Sequence, residues 1–225
     1  QYMFIDIAEV SITQKINNKS NQKTIISEFE IETSGPLRLL RDYQSVISLT
    51  ETNDRIIYSL KGMDRGKKEQ KKITYNSSGY PEVNLFEDDD DQRPIKIIQT
   101  IDKSAIDPLS VLIKTIKKLK EVGTCRDEYK VFDGKRRYFA KIEKIDEAIL
   151  KVDKTSSHKF KVIHCKVILQ GYNDYTNTIK FKNDDERWPF NGKERVIDIW
   201  FLGDDYHPIK FEVKSPFGKI VGKVI

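Results

Sequence analysis

DPLSVLIKTIKKLKEVGTCRDEYKVFDGKRRY, residues Asp107 to Tyr138, decides how the rest of the chain is read. It holds the one long helical pattern in a sequence whose other periodic segments alternate with a period of two. Leu109, Leu112, Ile113, Ile116, Leu119 and Val122 recur at the three- and four-residue spacing that lines up one stripe of an α-helix. Asp107 offers a carboxylate to the open N–H groups of a first turn, Pro108 suits the first helical position, and Gly123 suits the stop. The spacing therefore predicts a helix over about Asp107 to Glu121. Lys114, Lys117, Lys118 and Lys120 fill the remaining face toward the C-terminal end, where positive charge is favoured. Beyond Cys125, Asp133-Gly134 stands between Lys130 to Phe132 and Lys135 to Phe139. This dipeptide suits a type I′ hairpin, whose two central residues both need positive φ. Arg136 and Arg137 then point to opposite faces.

Outward from this stretch the chain reads as strand. Phe4 to Ile12 alternates, Asn17 to Asn21 makes a polar turn, and Ile25, Ser27, Phe29, Ile31 and Thr33 face away from Glu28, Glu30 and Glu32. Gly35-Pro36 breaks the run before an apolar Leu37 to Leu40 segment. Tyr43 to Thr50 and Arg55 to Lys61 alternate again. Lys67, Lys68, Lys71 and Lys72 surround a short polar strand ending near Tyr75, which reads as a sheet edge guarded by lysine. It turns at Asn76 to Gly79 toward Val83 to Phe86. Glu87 to Asp91 is a run of acids without the spaced ligands and bend glycine of a calcium loop, so a solvated loop is expected. Later strands are Lys159 to Leu169, Thr178 to Lys182, Arg195 to Phe201, Pro208 to Lys214 and Lys219 to Val224, with Trp200 expected in the core. No repeat and no linker divides the sequence, so residues 1–225 are read as one β-rich domain. In such a chain a basic amphipathic helix covers an open sheet face more often than it lies on a membrane.

Composition bounds the function. The 225 residues include 11 Phe and 10 Tyr, enough for a folded core, and 40 basic residues offset 35 acidic ones to a net charge of +5. No concentrated basic stripe favours nucleic acid, and no apolar run reaches the roughly 18 residues of a spanning helix. His158, His164 and His207 fall at no metal-ligand spacing with the cysteines, and no nucleophile, phosphate-loop or dinucleotide motif is present. No cofactor, metal or catalytic residue is therefore assigned, and the protein is expected not to be an enzyme. Cys125 and Cys165 are compatible with one disulfide or with two free thiols. A bridge would close about 40 residues, which the chain-entropy account values at about 4 kcal/mol.

Several of these segments together resemble a family. DPLS at Asp107, GTC at Gly123, VFDGKRRY at Val131, Cys165 in mid-strand, DIWF at Asp198, HPIKFEV at His207 and SPFGKIVGKV at Ser215 look like the bacterial envelope proteins of domain-of-unknown-function family 3108. The resemblance implies a mainly β fold: a long curved antiparallel sheet, an open half-barrel similar to the lipoprotein-carrier (Lol) fold, wrapping one amphipathic helix. It implies a periplasmic protein of a Gram-negative bacterium, made with a signal peptide since removed, and it pairs Cys125 with Cys165. It carries no known activity.

Two functional expectations follow. One is a non-enzymatic periplasmic envelope protein that binds a lipid or other apolar ligand in the concave face of its sheet. The other is a structural or interaction protein with a filled core that binds an envelope protein. Leu112, Ile116 and Leu119 on the helix, with Arg136, Arg137 and Trp188, are the candidate ligand or partner contacts. Trp188, in DERWPFNG, is either a lid over the core or a partner anchor. No oligomeric state follows from the sequence.

Overall fold

The computed structural model describes residues 6–19, 22–33, 42–76, 80–89, 103–134, 136–151, 159–171, 193–203, 205–215 and 218–224. Among the described residues the fold is mostly β, with one helix, and every strand ladder described below is antiparallel. The chain falls into two compact units: unit 1 takes the described residues of 1–110, 132–136 and 222–225, and unit 2 those of 111–131 and 137–221.

Unit 1 is a meander of β1 (Asp6–Lys19), β2 (Gln22–Thr33), β3 (Tyr43–Glu51), β4 (Arg55–Asp64), β5 (Lys67–Asn76) and β6 (Glu82–Asp88). Each strand pairs with the next, so facing residues form rows across the sheet. Ile12, Phe29, Ile47, Leu60, Lys71 and Phe86 make one row, and Gln14, Ser27, Leu49, Tyr58, Ile73 and Val83 the next. Phe29, Leu49, Tyr58, Leu60 and Ile73 are buried, which identifies this as the apolar face. β5 is not the edge strand that its lysines suggest. It pairs on both sides, and Lys71 turns inward, held at 2.6 Å by Glu69 and lying over the Phe86 ring.

At Ile73 and Tyr75 the apolar face of unit 1 is covered by the tip of a hairpin from later in the chain. Phe132 and Ile73 both have 0% exposure, and the Tyr75 hydroxyl donates to the Phe132 carbonyl. Phe132 N–H donates to Ile106 O at 3.0 Å. Gly134 is buried so tightly that a Cβ there would stand 2.8 Å from Ile73 Cδ1, and its φ is +88°. The turn sits one residue later than expected. Asp133 N–H donates to Arg136 O, and Asp133 Oδ1 accepts the Arg136 N–H at 2.7 Å, so Asp133 brackets the turn and Gly134 is its first inner residue. Among the described residues only Gly134 here has positive φ; Asp133 serves as a hydrogen-bonding staple instead.

Unit 2 contains most of α1 (Pro108–Val122), then β7 (Asp127–Phe132), β8 (Arg137–Lys151), β9 (Lys159–Gly171), β10 (Arg195–Leu202) and β11 (Pro208–Ser215), followed by β12 (Gly218–Val224). The strand order runs β12-β11-β10-β9-β8-β7. Leu119, Cys125, Ile142, Val162, Cys165 and Phe201 form its core, and Cys125 is disulfide-bonded to Cys165, with Cα atoms 6.4 Å apart. The predicted Thr178 to Lys182 strand lies outside the described residues.

Both ends of α1 are built as its sequence requires. Asp107 caps the start by accepting from Ser110 N–H at 2.7 Å and from the Ser110 hydroxyl, and Gly123, at φ +67°, ends it with its N–H on Leu119 O. The buried arc overlaps the predicted stripe at Leu109 and Leu119 but is shifted to one side of it. Val111, Thr115 and Leu119 are buried, Leu112, Ile113 and Ile116 are half-buried, and Val122 is 64% exposed. Thr115 is tolerated inside because its hydroxyl donates to Val111 O one turn back, satisfying a group that hydropathy counts as polar. The lysine face is not bare either: Lys118 Nζ lies 2.8 Å from Asp127 Oδ2, and Lys114 lies over the Tyr129 ring. Both contacts tie the helix to β7.

Candidate functional site

The face of unit 1 opposite its core carries the other set of rows. Glu30, Val46 and Lys61 make one, flanked by Ser11 and Gln70. Glu32, Gln44, Met63 and Lys68 make the next, and Glu28, Ser48, Ser59 and Lys72 a third. Each row thus sets one glutamate on β2 and one lysine on β4 or β5, with neutral side chains between. Part of this face is hollowed into an open trough of about 710 Å³, lined by Glu30, Glu32, Gln44, Val46, Lys61, Met63 and Lys68 among others. Val46 and Met63, 40% and 45% exposed, form its floor. Ser45, on the core face beneath, keeps a buried hydroxyl with no partner among the described residues.

The corresponding face of unit 2 is a closed polar ladder. Asp146, His164, Trp200 and Lys210 lie in one row across β8, β9, β10 and β11. His164 Nε2 is 2.8 Å from Asp198 Oδ1 and its Nδ1 is 3.3 Å from Asp146 Oδ1. The imidazole stacks on Trp200 at 4.6 Å, and Lys210 Nζ lies 4.3 Å from the centroid of the same indole. The ladder breaks register at Ile145, and this bulge is what brings Asp146 opposite His164. Trp200 is therefore half-buried among polar neighbours rather than in the core, since Ile199 and Phe201 on either side of it take the inward positions.

Ionisation follows local contacts. Asp107 is pushed above its ordinary value by burial, which outweighs the hydrogen bonds from Ser110. Burial alone would also raise Asp127, yet hydrogen bonds from Lys118, the Glu128 N–H and the Tyr129 hydroxyl together hold it below the usual range. Tyr129 is raised in turn by its burial and by donating to Asp127. Glu147 is lowered by Lys161 and Lys144, and Glu143 by Lys141.

The residues singled out from sequence do not assemble into one site. Leu112 and Ile116 are half-buried and Leu119 is fully enclosed, so Leu119 is a core residue and offers no surface to a partner. Arg136 is committed to its turn, with Nε 2.8 Å and Nη2 2.7 Å from Asp133 Oδ2. Arg137 is half-buried at the start of β8, and Trp188 lies outside the described residues. Cys125 and Cys165 alone meet. Asp90 and Asp91 of the acidic run also lie outside, while Asp89 closes onto β5 by accepting the Lys68 N–H at 2.7 Å. The trough residues were visible in sequence only as separate alternations. What brings them together is the register of five strands, which no single segment encodes.

Comparison with known proteins agrees with this architecture. The family model described as "Protein of unknown function (DUF3108)" matches residues 1–224. A crystal structure of a β-barrel-like protein of domain of unknown function DUF1849 from Brucella abortus aligns with a TM-score of 0.54 at 10% identity, covering 95% of this chain and 85% of that one. That likeness concerns the fold alone. No curated protein matches the chain significantly. No helix among the described residues is long and apolar enough to cross a membrane.

Proposed function

The chain belongs to the DUF3108 family of proteins of unknown function, and from that premise we propose that it is a non-enzymatic protein of the bacterial periplasm that acts by holding a protein partner. The observation that carries this reading is the hairpin tip seated on the apolar face of unit 1. Ile73 and Phe132 are fully buried there and a Cβ at Gly134 would stand 2.8 Å from Ile73 Cδ1, so at this point the face that a lipid carrier would leave open is occupied by the chain itself. The bridge between Cys125 and Cys165 supports an oxidising compartment, where such bonds persist.

Native mass spectrometry of the protein purified from its own periplasm tests the reading. A co-purifying polypeptide is expected, and a lipid mass would return the carrier reading in its place. For the compartment, protein isolated without reductant and then denatured is expected to show no reactive thiol; if both of its 2 cysteines react, the extracytoplasmic reading is wrong.

A further inference from the structure

On the trough face of unit 1 opposite charges are separated by design of the register. Glu30 and Lys61 stand two strands apart with Val46 between them, and Glu32 and Lys68 stand three apart with Gln44 and Met63 between. At about 4.8 Å per strand the backbones carrying these charges stand roughly 10 and 14 Å apart. No ion pair among the described residues joins the β2 glutamates to Lys61, Lys68 or Lys72. The result is an acidic wall and a basic wall facing across a neutral floor, in a hollow that is already formed.

We infer that this trough is a docking groove for an extended segment of a partner polypeptide in which basic and acidic side chains alternate. An extended chain throws successive side chains to opposite sides, and same-side residues repeat about every 6.8 Å. Glu28, Glu30 and Glu32 repeat at that same interval along β2. A segment lying along β3 therefore sends every other side chain to the glutamates and the intervening ones to the lysines, one of each per row. Its backbone rests over Val46 and Met63, and a methionine floor adapts readily to different segments. A second copy of the chain does not fit, because two hollows set face to face enclose water instead of covering Val46. A lipid does not fit either, since the apolar floor is short and both rims are charged. The inference rests on the partner-binding reading above and gives that partner its place and chemistry.

The probe is a fluorescent peptide of about six residues with alternating Lys and Glu, compared by polarisation at low salt with a block peptide of identical composition. The alternating peptide is expected to bind about 10-fold more tightly than the block peptide and to weaken as salt is raised. Glu30→Lys with Glu32→Lys should remove binding. Adding Lys61→Glu and Lys68→Glu should restore it, because an alternating peptide fits swapped walls after a one-residue shift. As a measurement independent of these variants, a photo-crosslinker placed at Val46 should capture the alternating peptide and not the block peptide. Equal binding of the two peptides, or capture of both at Val46, overturns the groove while leaving the partner reading intact. A lipid found by native mass spectrometry overturns the partner reading, whatever the peptides do.

Discussion

In unit 2, charges on the face opposite the core meet their opposites within the sheet. Lys141 lies 2.8 Å from Glu143, Lys210 lies 3.2 Å from Glu212, and His164 is held between two aspartates, while on the core side Glu147 is shared by Lys144 and Lys161. In unit 1 the same residue types stand on the equivalent face, but β3 keeps them apart. Composition is similar and register differs. A charge answered inside its own sheet contributes to holding that sheet together, whereas one held two or three strands from its opposite contributes little to stability and is left for something outside. The units also close their cores differently: unit 2 uses a covalent bridge, and unit 1 uses a hairpin tip.

The bridge gives the largest test of that contrast. Replacing Cys125 and Cys165 together by Ser removes a crosslink spanning 40 residues and should cost about 4 kcal/mol, a fall in Tm on the order of 10 °C. Reductant should lower the wild type toward the variant and leave the variant unmoved.

Next is Gly134→Ala, which forces a non-glycine residue to a φ of +88° and drives its Cβ into Ile73. A loss of roughly 2–3 kcal/mol in urea unfolding is expected, and a near-neutral result would mean that the tip is not wedged into the core of unit 1.

Asp107 should separate capping from burial. Asp107→Ala should cost about 1–2 kcal/mol by removing the helix cap, whereas Asp107→Asn keeps an acceptor without the buried charge. Folding raises this carboxyl above 3.8, so its contribution is fully present below that pH and is lost as pH rises through the higher folded value. Asp107→Asn should therefore gain on the wild type as pH is raised from about 4 toward neutrality, measured as the difference in unfolding free energy. Asp127 runs the other way: its lowered folded value gives a contribution present above 3.8 and lost as acid is added through that lowered value.

The smallest effects compare single charges. Asp198→Asn, which weakens the hydrogen bond to His164, should cost about 1 kcal/mol, while Glu30→Gln or Lys61→Gln should change unfolding by less than about 0.5 kcal/mol. Equal losses in the two units would erase the distinction between them.

Much of this could be read from local chemistry. The Asp107 cap, the Gly123 stop and the existence of the Asp133–Arg136 hairpin are each set within a few residues, and so is the alternation that turns Phe29 inward and Glu30 outward. The expectations that failed depended on neighbours distant in sequence. Lys71 reads as an edge lysine until β6 and Glu69 are placed beside it. Trp200 reads as core until the inward positions go to Ile199 and Phe201. Arg136 reads as an available cation until Asp133 claims both its backbone and its guanidinium. The candidate groove is the extreme case, since Glu30, Val46 and Lys61 become one row only when three strands are aligned.

The hairpin tip also imposes an order on folding. Tyr75 and Phe132 are 57 residues apart, and the sheet of β1 to β6 is complete in sequence well before the tip that covers it emerges. Until then Ile73 and Tyr75 lack the tip that covers them and leave apolar surface open, the kind of surface that draws nascent chains into aggregates. A fragment ending near residue 103 should accordingly collapse without packing tightly and precipitate on concentration. The chain should need a holding chaperone during the interval in which its first half waits for its plug.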